Sequence, residues 1–116
     1  SAAVARASAE SSRARLETEA LRRNIEREIA SSRSQVDIAA REIAAIDARL
    51  IPAAEEAVDR ARAGYGQGGF SYLDVLDAQR VLANARLQRI SALSSYHRAR
   101  TALKRLLGGY AAGPAQ

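Results

Sequence analysis

The residues that could do chemistry are few, and two of them lie close together. Asp74 and Asp77 are three positions apart, so on a helix their carboxylates lie on adjacent turns of one side. His97 is the single histidine and there is no cysteine, which excludes a histidine cluster and a thiolate metal site. No base or nucleophile accompanies the two aspartates. We therefore expect no catalytic, cofactor or metal site, and a protein that is not an enzyme.

Composition favours long helices over a thick globular core. Alanine and arginine are the commonest of the 116 residues, leucine and glutamate are also frequent, and there is one phenylalanine and no tryptophan. The net charge is +5, and arginine supplies every basic residue except Lys104. A nucleic-acid surface would use such charge. Because the basic residues are spread along the chain among acids, a solvated helix exterior is favoured and no nucleic-acid partner is expected.

A cluster of glycines between two long helical patterns positions the two aspartates. Gly64, Gly66, Gly68 and Gly69 interrupt the pattern, and Ser71 with Asp74 resembles a capping box that starts a new helix. The sequence thus predicts an all-α, long antiparallel two-helix coiled-coil hairpin. We expect residues 1–8 to be frayed or disordered and residues 108–116 to form a disordered tail. Between them, helix 1 covers 9–63, the tip loop 64–70 and helix 2 71–107.

Heptad spacing predicts which residues join the two helices. The apolar positions alternate in steps of four and three, as in a coiled coil. In helix 1 the predicted seam is Ile25, Ile29, Ser32, Val36, Ala39, Ile43, Ile46, Leu50, Ala53 and Ala57. In helix 2 it is Val75, Ala78, Leu82, Ala85, Arg89, Ala92, Tyr96, Ala99, Leu103 and Leu106. Folded at the glycines, these seams face each other from Ala57 opposite Ala78 to Ile29 opposite Leu106, with Arg89 opposite Ile46.

Two other features belong to this prediction. Pro52 removes one backbone hydrogen bond and presses on the carbonyl of Ala48, so we expect a kink near Ala48 to Ile51, with a true break as the alternative. Helix 2 also has a second apolar stripe, which one partner helix cannot cover: Leu73, Leu76, Ala83, Leu87 and Ile90. Helix 1 is longer than helix 2, so its first 20 or so residues should overhang.

The tip carries a family resemblance. The run from Ala63 to Arg80, AGYGQGGFSYLDVLDAQR, resembles the second periplasmic hairpin of TolC-family outer-membrane efflux proteins, and later residues fit as far as Gly108. The motif FSYLDVLDAQR, with a proline upstream, is more similar to the heavy-metal branch of CzcC-like and CusC-like proteins than to the drug-efflux branch. The resemblance is specific over about residues 50 to 109. The earlier helix resembles the family only in its general helical character, without a specific motif.

The resemblance implies a passive conduit in a tripartite export pump. The full-length protein would be a homotrimer in the outer membrane, with this chain as a fragment of its periplasmic α-barrel. The hairpin tip would meet the hairpins of a membrane-fusion adaptor, which joins an inner-membrane pump. The neighbouring helices of the barrel would then cover the second apolar stripe. We expect the isolated fragment not to form the trimer.

The resemblance also implies roles for single residues. Asp74 and Asp77 match aspartates that ring the pore entrance, while helix capping is an equally good explanation of Asp74. Tyr65 matches a tyrosine that bonds between neighbouring hairpins, and ring packing over the helix end would also explain it. Phe70 stands where TolC has a gating arginine, so a gate here would depend on packing. Gly68, with Gly69, matches the adaptor-docking tip, although turn formation also suffices.

Two other functions fit the same sequence. One is a generic structural coiled coil that oligomerises through its overhang, although this would not need paired aspartates after a glycine tip. The other is an arginine-rich helical nucleic-acid binder, which would show salt-dependent DNA binding. The sequence indicates neither the transported substrate nor the adaptor.

Overall fold

The computed structural model describes residues 1–112, with side-chain surroundings through Gly109. The predicted all-α hairpin is confirmed: the described chain measures 97 × 24 × 16 Å and contains no strand. Helix α1 spans Ala2–Ala45, α2 spans Ile51–Gly66 and α3 spans Tyr72–Ala112. A π-helical turn, Ile46–Leu50, joins α1 to α2 without interrupting the helical backbone.

The helix ends differ from the predicted boundaries. We expected fraying over residues 1–8, but α1 begins at Ala2, because Ser1 caps it by accepting a hydrogen bond from the Val4 amide at 3.3 Å. The predicted stop at Leu107 is also wrong, since α3 runs through Gly108 and Gly109 to Ala112. Neither glycine has the left-handed backbone that would turn the chain away. Residues 113–116 of the predicted tail lie outside the described part.

The half of the hairpin away from the tip packs as the heptads predict. Every predicted seam residue from Ile25 to Ile46 is buried or half-buried. The most enclosed are Ser32, Ala39 and Ile46, which leave 6% of their surface or less exposed. Small residues at the contact let the two backbones approach closely. Residues 1–24 are all exposed, consistent with the expected overhang of α1 beyond its partner.

Nearer the tip, the seam of helix 1 is shifted by one residue. The prediction placed Leu50, Ala53 and Ala57 against α3. The buried residues are instead Ala54, Val58 and Ala61, while Ala57 is half-buried, Ala53 is exposed and Leu50 is 36% exposed. The predicted seam of α3 needs no such correction, because all ten of its positions lie buried or half-buried, Arg89 included.

The shift originates in the π-helical turn. Within it, the Ile51 amide donates to the carbonyl of Ile46, five residues back, instead of four. A π turn therefore holds one residue more than an α turn. After it, each residue that contacts α3 lies one position later in the sequence than the heptad spacing predicts. Pro52 follows directly in α2, and a proline in a helix presses on the carbonyl four residues back, which here is that of Ala48 inside the π turn. The irregularity was predicted near Ala48 to Ile51, but as a kink that keeps the phase of the seam.

An ion pair joins the two helices beside the π turn. Arg89 donates from Nε to Asp47 Oδ1 at 2.6 Å and from Nη2 to Oδ2 at 3.2 Å. The sequence had placed Arg89 opposite Ile46 in the seam, and did not identify this partner. The two-point hydrogen bond to Arg89 is the main cause that lowers the pKa of Asp47, and the same contact raises the pKa of Arg89.

This ion pair should make the stability of the hairpin depend on pH in the acidic range. The folded-state pKa of Asp47 lies below its ordinary value of 3.8. The ion pair therefore contributes fully to the free energy of unfolding at pH values above 3.8, and this contribution is lost as the pH falls through the folded-state pKa. In urea titrations, Asp47→Asn should be less stable than wild type at neutral pH. The difference should shrink between about pH 5 and about pH 2.

The control is Asp37→Asn, which removes a 3.1 Å ion pair to Arg41 within α1 and none between helices. It should follow the wild-type pH profile closely, since exposed pairs within a helix contribute little. A difference between Asp47→Asn and wild type that stays constant over the whole pH range would contradict this account.

Candidate functional site at the hairpin tip

The start of α3 is built by a reciprocal capping box. The Asp74 amide donates to Ser71 Oγ at 3.2 Å, and the Ser71 amide donates to Asp74 Oδ2 at 2.9 Å. The Ser71 hydroxyl is also 3.1 Å from Oδ2. The capping explanation of Asp74 is therefore what the structure shows, and its carboxylate is held at the helix N-terminus, where the helix dipole favours negative charge.

The turn at the tip depends on two backbone features. The carbonyl of Gly64 accepts from the amides of Gly69 at 2.8 Å and Phe70 at 3.1 Å, which closes the loop on the end of α2. Gly68 has a φ of +82°, in the left-handed region that side chains with a Cβ rarely adopt. Gly68 is thus required by the turn itself, whatever else approaches it.

Phe70 folds back onto Gly64. A Cβ atom at position 64 would lie 2.5 Å from the Phe70 ring, closer than non-bonded carbon atoms can approach. The ring remains 48% exposed, so one side packs on the backbone and the other is open. The sequence had assigned Gly64 to turn formation alone and missed this contact. Phe70, the predicted gate residue, is positioned by packing within its own tip.

Tyr65 packs against a residue that the sequence did not single out. The Tyr65 and Tyr72 rings lie with centroids 5.5 Å apart and planes tilted by 56°, one at the end of α2 and one at the start of α3. This is a favourable aromatic geometry. Both rings are about half exposed. The contact fits the packing explanation of Tyr65, while a bond to a neighbouring hairpin remains a prediction.

The remaining predicted residues lie open on the same end of the molecule. Asp77 is exposed, and its Oδ1 is 3.8 Å from Arg80 Nη1 in a long ion pair. A Cβ atom at Gly68 would meet nothing within 4 Å, and one at Gly69 would meet only the Gly64 carbonyl at 3.7 Å. The structure therefore collects all six predicted residues at one tip, with the two glycines forming its uncovered surface.

The second apolar stripe is unpartnered within the hairpin. Leu73, Leu87 and Ile90 leave between 61% and 63% of their surface exposed, and Leu76 leaves 40%. Exposed apolar residues aligned along one helix side usually mark an interaction surface. The stripe begins at the tip and runs along α3, on a different side of the helix from the seam.

Other kinds of site are not formed by the described residues. No group of three or more His, Cys, Asp or Glu side chains among them is arranged to hold a metal ion. His97 is exposed and packs edge-on against the Tyr96 ring at 5.6 Å. In residues 1–112, no helix combines the length and apolar character needed to cross a membrane.

Comparison with known proteins confirms the resemblance carried by the tip. The profile of the family described as outer membrane efflux protein matches residues 1–109. The chain belongs to this outer membrane efflux protein family. The match includes α1, for which the sequence had shown no specific motif of the family.

A curated relative extends the comparison. The chain is 33% identical over 85 residues to the cobalt-zinc-cadmium resistance protein CzcC of Cupriavidus metallidurans. The matched segment is 73% of this chain and 20% of the relative, so the chain spans about a fifth of that protein. This similarity favours the heavy-metal branch of the family. No solved structure gives a significant match.

The two tip aspartates should differ in their effect on stability. Asp74→Ala removes the carboxylate that accepts from the Ser71 amide and hydroxyl, but it leaves the bond from the residue-74 amide to Ser71 Oγ. The loss of this charged acceptor at the helix N-terminus should lower the free energy of unfolding by about 1 kcal/mol. Asp77→Ala breaks only an exposed 3.8 Å ion pair and should change it by less than about 0.5 kcal/mol. Urea titration of the two variants beside wild type measures both. Equal losses, or a larger loss for Asp77→Ala, would show that capping is not what fixes Asp74.

Proposed function

We propose that this hairpin is a periplasmic α-barrel segment of a trimeric outer-membrane channel that conducts metal cations out of the cell. The single observation that carries the proposal is the family match over residues 1–109, which covers both helices of the hairpin and its tip. The cobalt-zinc-cadmium resistance relative supports a metal substrate. The channel would be a passive conduit, not an enzyme, located in the outer membrane with this segment in the periplasm.

The tip is proposed to dock the hairpins of a membrane-fusion adaptor, which links the channel to an inner-membrane pump. Gly68 and Gly69 leave an uncovered backbone surface, which another helical hairpin could approach closely. Phe70 and Tyr65 flank this surface with half-exposed rings. Aromatic rings beside accessible backbone are a common composition for the centre of a protein interface.

The sides of the hairpin are proposed to pack in a barrel. The exposed stripe of α3 requires further helices, and adjacent hairpins of a trimer would supply them. Threefold symmetry would then repeat Asp74 and Asp77 around the entrance as two carboxylate rings, which favour cations. Asp74 would act there while capped, because only Oδ2 is used by Ser71. Phe70 stands where TolC has a gating arginine and cannot form charged hydrogen bonds. Closure of the channel entrance would therefore depend on the packing of Phe70 against Gly64.

One observation favours a second candidate, an arginine-rich nucleic-acid binder. From Ala78 to Leu107, α3 contains basic side chains and no acidic one. Four of them, Arg98, Arg100, Lys104 and Arg105, make no ion pair with any described residue within 4.0 Å. A run of unpaired cations along a helix is the electrostatic pattern that binds phosphates. The docking experiment therefore includes DNA.

The docking proposal is tested by binding of this chain to purified adaptor hairpins from metal-efflux and drug-efflux systems. Gly69→Arg adds a bulky side chain at a position whose backbone any residue can adopt, and should abolish binding. Gly108→Arg is the matched control, since it adds the same side chain at the end of the hairpin away from the tip, where a Cβ atom meets nothing within 4 Å. It should retain the fold by circular dichroism and most of the binding. Preference for the metal-efflux adaptor is expected.

Two outcomes would contradict the proposal. Adaptor binding that survives Gly69→Arg would place the docking surface elsewhere than the tip. Absence of adaptor binding together with DNA binding that weakens steeply with salt would favour the nucleic-acid function instead. A generic coiled coil would bind neither and would self-associate through its overhang, which sedimentation of the same samples would show.

A further inference from the structure

We propose that the outward side of α3 binds an amphipathic helix that is apolar at the tip end and acidic over the far half. The second apolar stripe is the first half of a longer one, because steps of three and four residues carry it past Ile90 as far as Arg105. We call this whole side of residues 72–105 the outer stripe, which is about 50 Å long. The inference rests on the proposed function in one respect, that in the channel the bound helix would belong to an adjacent hairpin.

The half of the outer stripe nearer the tip is apolar. Tyr72 lies one turn before Leu76, is exposed, and extends the second apolar stripe to the first residue of α3. Away from the tip and this stripe, the large apolar side chains of residues 1–109 with more than half of their surface exposed are Val4, Leu16, Leu21, Ile38 and Val81. No two of these are three or four positions apart, so none forms a second continuous apolar surface. The tip half is therefore the part of the hairpin that most needs an apolar cover.

The far half of the outer stripe is polar and cationic. A shallow groove along α3 is lined there by Ser94, His97, Arg98, Thr101 and Arg105, all of them exposed. Arg98 and Arg105 have no acidic partner within 4.0 Å among the described residues. No acidic residue follows Asp77 in the sequence, so α3 itself cannot neutralise them. Two unpaired guanidinium groups seven positions apart on one helix side complement carboxylates on a facing helix.

The continuity of the two halves selects the occupant. Nucleic acid would neutralise the far half and leave the tip half in water. A second copy laid antiparallel along α3 would cover the tip half with its own and leave both far halves unpaired, while a parallel copy would bring like charges together. Its α1 has no exposed apolar run to offer. A helix with apolar residues in one half and carboxylates in the other matches both. Since the chain spans about a fifth of CzcC, a channel of that size has chain outside these residues to supply it.

Two synthetic helical peptides test the pairing by fluorescence titration against this chain. Both carry leucine at the positions that face the tip half. The acidic peptide has glutamate, and the neutral peptide glutamine, at the positions that face the far half. Each is made with the apolar half first and with it last, which covers both helix directions. At low salt the acidic peptide, in its better direction, should bind at least about tenfold more tightly than the neutral one.

Arg98→Glu should remove this preference, because it replaces an attractive charge by a repulsive one. Arg100→Glu is the matched control and should keep it: Arg100 is also exposed and without an ion pair within 4.0 Å in the described part of the chain. Two residues further along, it lies about 200° around the helix from Arg98. Circular dichroism verifies that both variants are folded.

Gly69→Arg separates this inference from the proposed function, since it should abolish adaptor binding and leave binding of the acidic peptide unchanged. Equal affinity for the two peptides, or equal losses in Arg98→Glu and Arg100→Glu, would overturn the inference. Duplex DNA that binds more tightly than the acidic peptide at the same salt, and is weakened by Arg98→Glu, would assign the far half to nucleic acid instead. Dimerisation of the chain alone that Leu87→Ala abolishes would show that a second copy covers the stripe, and would overturn it too.

Discussion

The structure depends on a conflict between Pro52 and the helix that contains it. Helix 1 must keep an apolar face against α3 for its whole length, yet proline cannot donate a hydrogen bond and its ring presses on the previous turn. The π turn at Ile46–Leu50 resolves the conflict by taking up one extra residue. The helix remains continuous, and the cost is a change in which residues contact α3.

The tip is stable for reasons largely separate from the seam. Ser71 and Asp74 cap α3 reciprocally, Gly64 accepts two amides from across the loop, and Phe70 packs on Gly64. These contacts lie within residues 64–74 and join the end of α2, the loop and the start of α3 to one another.

The sequence predicted the architecture because the signals for it are local. Heptad spacing, the glycine cluster and the Ser71–Asp74 pattern are each visible within a few residues, and the hairpin, the seam of α3 and the cap followed from them. The shifted seam is harder to predict, since the heptads continue in phase through Pro52 as far as Ala57. The signal against that phase comes only at the next step, where the in-phase residue is Arg60 and the buried residue is Ala61. The Asp47 partner of Arg89 was missed for the same reason: its position depends on the π turn.

The most direct test of this account is the hydrogen bond that defines the π turn. Through-hydrogen-bond couplings in an isotope-labelled sample identify which carbonyl accepts from the Ile51 amide. The account predicts a coupling from the Ile51 nitrogen to the carbonyl carbon of Ile46, five residues back. A coupling to the carbonyl of Asp47, four residues back, would show an ordinary α-helix here. It would contradict both the shifted seam and the role assigned to Pro52.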